Sequence, residues 1–167
     1  MKQLQEEIKE EIKNCLFNVN CMTLAVKQYR KYDNIYNWAV AISSFGSATM
    51  WILEDKYAIV NATIIAVSQF LFAIKPLMGF TKHVHTLNKR CYTQELLFLE
   101  LLELWNLVKR EEITTTRATD LLNSLRKRIT ENEFFDDGDD FEYSQKIIDK
   151  AQEITAESLI QKYKITE

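Results

Sequence analysis

IYNWAVAISSFGSATMWIL (Ile35–Leu53) and YAIVNATIIAVSQFLFAI (Tyr57–Ile74) carry no charged residue, and only Glu54, Asp55 and Lys56 separate them. As helices rising about 1.5 Å per residue, each spans roughly 27–29 Å, close to the ~30 Å hydrocarbon thickness of a bilayer. So short a break forces the second helix to return antiparallel to the first. A helix in a globular domain normally keeps one solvated face, so two adjacent charge-free runs predict a two-helix transmembrane hairpin over about residues 35–74. Polar residues dilute both runs: Asn37, Ser43, Ser44, Ser47 and Thr49 in the first, Asn61, Thr63, Ser68 and Gln69 in the second. Each Leu, Ile, Phe or Val favours insertion by only ~0.3–0.6 kcal/mol at a helix centre, so the sum for either run is small. The competing reading is a hairpin buried in a soluble helical bundle.

Working outward, Lys27, Arg30 and Lys31 precede the first run, while Lys75, Lys82, Lys89 and Arg90 follow the second with no acid between. Cytoplasmic loops concentrate Lys and Arg, so this bias predicts both termini on the cytoplasmic side. Lys75-Pro76 closes the second run. Proline removes a helix hydrogen bond and crowds the preceding turn, which predicts a kink or stop; with Gly79 close behind, the segment reads either as a helix that bends on leaving the bilayer or as a hinge at Lys75, Pro76 and Gly79.

The rest of the chain reads as amphipathic helix, and the expected class is all-α, with long cytosolic helices forming a bundle beside the hairpin. Leu4, Ile8, Ile12, Cys15, Val19, Met22 and Val26 recur at helical spacing over 3–33, with Glu and Lys opposite. From about Thr81 to Lys109, Leu97, Leu101, Leu104, Trp105 and Val108 make a broad apolar face, wider than one partner helix covers, and are expected to form an oligomer interface. Leu96 and Leu99 lie near the acidic side of the same helix. Thr114–Thr116 supplies an N-cap for a helix near Arg117–Thr130, and a last helix is expected over Tyr143–Lys162. Three Gly and one Pro in 167 residues agree with long helices and short loops.

Little in the chain speaks for chemistry. The net charge of −3 supplies no basic field for direct nucleic-acid binding. Cys15, Cys21 and Cys91 have no metal-ligand spacing and read as reduced core thiols. His83 and His85, two apart, point about 200° from each other on a helix, which spoils joint metal ligation. The acidic run Asp136-Asp137-Gly138-Asp139-Asp140 lacks the alternating ligands and closing Glu of a calcium loop. No enzyme, cofactor or metal is expected. Within the hairpin, Asn37, Ala41, Ser44 and Ala48 share one stripe, and Ala62, Ala66, Gln69 and Ala73, with Asn61 alongside, share another. Small and polar residues so placed either pack helices in lipid or line a pore in an oligomer.

An amphipathic helix ending VKQYRKY, a tight hairpin and the following HTLNKRCYTQELLFLELLELW together resemble the SLATT domains over roughly residues 5–110. These are two-transmembrane proteins of bacterial conflict and anti-phage gene clusters. The resemblance implies a SLATT-like domain over 1–110 with a cytosolic helical extension over 111–167. It also implies a pore-forming or membrane-disrupting effector of the inner membrane, which oligomerises when triggered and causes growth arrest or death. The partners implied are the lipid bilayer, further copies of the chain, and a sensor, nucleotide-signal synthase or reverse transcriptase encoded beside it. Two other readings compete: a non-conducting membrane anchor or adaptor for a cytosolic partner, and a soluble all-helical interaction module.

Overall fold

The computed structural model describes residues 1–49, 58–78, 80–133, 142–161 and 163. The elements among them are all helices: α1 (Lys2–Thr49), α2 (Ala58–Met78), α3 (Phe80–Lys109), α4 (Thr115–Glu133) and α5 (Gln145–Gln161). The all-helical expectation stands, but the membrane hairpin does not. No helix among the described residues is long and apolar enough to cross a membrane. This overturns both the two-helix transmembrane hairpin and the multi-pass placement in an inner membrane with two cytoplasmic termini. The reason is the polar dilution already visible in the sequence: Asn61, Thr63, Ser68, Gln69 and Lys75 all fall inside α2. Likewise, the apolar part of α1 continues a helix whose earlier turns are heavily charged.

Two boundaries also move. The first amphipathic stretch and the first apolar run form one helix of 48 residues, with no break near Asp33. Neither Gly nor Pro lies there, and Asn37 Nδ2 donates to Asp33 Oδ2 at 3.1 Å, one turn back. Lys75 and Pro76 lie within α2, which runs on to Met78; Gly79, the third residue of the expected hinge, lies outside the described residues, as do the Glu54–Lys56 break and the acidic run 136–140.

The chain divides into two compact units, Met1–Val26 with Thr86–Glu167, and Lys27–His85. The first unit holds a core built by helical periodicity. Leu4, Ile8, Ile12, Cys15 and Leu16 of α1 cluster with Leu97, Phe98, Leu101, Leu104 and Val108 of α3, with Ala118, Leu122, Leu125 and Ile129 of α4, and with Leu159 of α5. Trp105 is partly buried against this cluster, and Phe98 meets Tyr163 edge-on with ring centroids 5.2 Å apart. Leu97, Leu101, Leu104 and Val108, the face assigned above to an oligomer, thus lie in the chain's own core.

Helix ends follow local chemistry. The α3 terminus closes with Glu112 N–H donating to Leu107 O at 3.0 Å and Glu111 N–H to Val108 O at 3.2 Å, with Glu111 at φ 57°. That is the left-handed residue and paired bonds of a Schellman stop, here without the customary glycine. Thr114 O accepts the first bond of α4, from Ala118 N–H at 2.9 Å, which puts Thr114 at the N-cap expected from the threonine triplet.

Polar groups tie the same helices together. Gln94, fully buried on α3, accepts from Asn132 Nδ2 of α4 at 2.9 Å and donates through Nε2 to Cys15 Sγ of α1 at 3.4 Å. Asn20 Nδ2 of α1 donates to Thr155 Oγ1 of α5 at 2.9 Å, and that hydroxyl donates to Ala151 O at 2.6 Å. Arg126 reaches Glu11 at 2.7 Å and Glu7 at 3.4 Å, while Arg128 forms a two-pronged pair with Glu100. These ion pairs are partly exposed, so each adds at most about 1 kcal/mol; the buried bonds matter more for fixing helix register.

Candidate interaction surface

The cysteine thiols are placed for packing. All three cysteines are free and buried. Burial pushes the Cys21 thiol from 9.0 up to about 11. It also raises Cys91, whose sulfur lies 3.4 Å from Thr23 Oγ1; that hydrogen bond pulls the pKa back down, and the negative charge of Glu95 adds to the rise. Both thiols therefore stay protonated at neutral pH, and the thiolate is the nucleophile. Among the described residues, no group of three or more His, Cys, Asp or Glu side chains could hold a metal ion. His83 stacks obliquely on Tyr29, ring centroids 5.6 Å apart, and His85 is exposed.

The distinctive surface belongs to Lys27–His85. On α1, Ile35, Trp38 and Ile42 recur at spacings of three and four, which places them on one helical face, and all three are exposed. Trp38 stands 70% in solvent and Ile42 67%. On α2, Ile65 and Phe72 share a face two turns apart, and Val67 and Phe70 occupy another; Phe72 is 70% exposed and Phe70 65%. Helices ordinarily turn such residues inward, and large exposed apolar side chains of this kind are what partner surfaces recruit. Lys27, Arg30, Lys31 and Lys82 are exposed on the same unit. Tyr36 is buried there, and its hydroxyl has no hydrogen-bond partner among the described residues.

The residues singled out from sequence scatter across this unit. Asn37 is exposed and bonded to Asp33 within its own helix, and Ala41 is half-buried. Ala66, Gln69 and Ala73 are exposed. Ser44 and Ala48 lie in α1 and Asn61 and Ala62 in α2, with side chains outside the described residues. The stripe reading missed the large neighbours. Trp38, Phe70 and Phe72 stand beside the small residues and carry far more surface; their size in a run also holding Asn and Gln was the available signal.

No family model matches the chain, and no curated protein or solved structure does either.

Proposed function

We propose that this chain is an all-helical interaction module. Met1–Val26 with Thr86–Glu167 form the scaffold, and the exposed apolar side chains of Lys27–His85 take a protein partner. The observation that supports this is the contrast in exposure. The scaffold closes fifteen buried side chains into one core, while Trp38, Ile42, Phe70 and Phe72 remain in solvent. Aromatic residues dominate the desolvated centres of protein interfaces, and charged groups dominate their rims. The exposed cations of the same unit, Lys27, Arg30, Lys31 and Lys82, favour a partner that carries acidic groups beside its apolar surface.

The test uses the full chain expressed in its native cells, crosslinked and resolved by size. A Trp38→Ser, Phe72→Ser chain should lose its crosslinked complexes while keeping the helicity of the parent by circular dichroism. Complexes of unchanged size and yield would show that Trp38 and Phe72 meet no partner.

A further inference from the structure

Of the fifteen side chains in the core cluster, fourteen come from α1, α3 and α4, and one, Leu159, comes from α5. The other buried residues of α5 are Ala151 and Thr155, both small, and with Leu159 they form a stripe of one residue per turn. Ile147, Ile148 and Ile154 stay half-buried and Ile160 is exposed, so much of the apolar surface of α5 is left uncovered. The seat of α5 lies across two helices. Asn20 of α1 donates to the Thr155 hydroxyl at 2.9 Å, and Phe98 of α3 meets Tyr163, just past the end of α5, edge-on at 5.2 Å. α4 is fastened more heavily: Arg126 pairs with Glu7 and Glu11 of α1, Arg128 with Glu100 of α3, and Asn132 with the buried Gln94. Asn20 is only half-buried, so water can take over its bond when Thr155 leaves.

We propose that α5 is a displaceable strap: it leaves its seat as one unit while α1, α3 and α4 stay packed, and the opened seat then takes another amphipathic helix carrying a small residue, a hydroxyl residue and Leu at successive turns. The helix already seated there defines the occupant. Ala151 lets the backbone lie close, Thr155 supplies the acceptor for Asn20, and Leu159 joins the cluster that holds Leu16 and Phe98. Leaving uncovers one large and two small buried side chains, little beside what α1, α3 and α4 keep among themselves. A free helix of seventeen residues is marginal in water, so the departed segment unwinds and gains chain entropy. Opening short of global unfolding belongs to segments with few buried apolar contacts, which describes α5. A competing helix meets only the molecules that are open, so the strap weakens its apparent affinity by that fraction. The seat lies within Met1–Val26 with Thr86–Glu167, so this inference and the reading of Lys27–His85 can each fail alone.

Native-state hydrogen exchange of the full chain measures the opening. The α5 amides should exchange as one group, about 100-fold or more faster than those of Leu97–Val108. A fluorescent peptide of residues 145–163 then probes the seat. It should bind the full-length Thr155→Asp, Leu159→Asp chain, whose own strap cannot seat, more tightly than it binds the parent. The ratio of the two affinities should match the protection of the α5 amides, since both report the open fraction. The same peptide carrying Thr155→Asp and Leu159→Asp should bind neither chain, and the variant should lose no more helix than the seventeen residues of α5. Amides of α5 that exchange only together with those of Leu97–Val108 overturn the proposal. So does a variant that also loses the helicity of α1, α3 and α4, because either result makes α5 a permanent part of the core. A folded variant that binds the peptide no better than the parent overturns it as well, since the seat then takes no second helix.

Discussion

Met1–Val26 with Thr86–Glu167 and the stretch Lys27–His85 use similar residues to opposite ends. In the first, Leu, Ile and Val at helical spacing meet one another, and the polar residues interrupting the stripes find partners: Gln94 with Asn132 and Cys15, Asn20 with Thr155. In the second, Ile, Trp and Phe are as frequent, yet Ile35, Trp38, Ile42, Phe70 and Phe72 face solvent. Apolar content therefore does not tell where a chain keeps its core. The distinguishing feature is the opposite face. Segments with Glu and Lys covering one side can bury the other, whereas a nearly charge-free run with polar residues scattered among its Ile, Trp and Phe has no single polar side and leaves apolar side chains over once its neighbours are placed.

That contrast should break most visibly at Leu101, which is 0% exposed at the middle of the core cluster. Leu101→Ala should lower unfolding free energy by about 2–5 kcal/mol, from lost transfer energy plus the cavity left behind. Urea unfolding followed by circular dichroism measures it, and a loss below 1 kcal/mol would mean the cluster is loosely packed.

A smaller effect is expected at the buried polar link. Asn132→Leu leaves Gln94 Oε1 without its donor, a cost of about 1–3 kcal/mol. Adding Gln94→Leu removes the stranded acceptor, so the double variant should be less destabilised than the sum of the two single changes. Additive losses in such a cycle would show that the two amides do not act as a pair.

The scaffold helices could be read from the sequence because periodicity and capping act locally. The stripe Leu97, Leu101, Leu104 and Val108 and the Thr114 cap both follow from spacing and from residue type. The buried link was also encoded. Gln94 falls on the stripe Leu87, Cys91, Phe98 and Leu101, and Asn132 falls three residues past Ile129 on the α4 stripe, so a polar residue in a core position was the sign. What covers an apolar face was not encoded. Leu97–Val108 reads as wide enough for another subunit, but α1, α4 and α5 of the same chain fill it through contacts far apart in sequence. The runs 35–53 and 57–74 are ambiguous for a deeper reason. Absence of charge is compatible with lipid, with a protein partner or with the interior, and only the three-dimensional exposure of Trp38 and Phe72 separates the first unit's behaviour from the second's.

The smallest effect on stability should come from Trp38, the residue whose size would suggest the largest. Its side chain is 70% in solvent in the folded chain and also exposed when unfolded, so removing it subtracts nearly the same term from both states. Ser and Trp have similar helix propensities, which leaves little local penalty. Trp38→Ser should therefore change unfolding free energy by no more than about 0.5 kcal/mol. A cost of 2 kcal/mol or more at Trp38, at low concentration, would place its indole in a folded interior and erase the distinction between the two units.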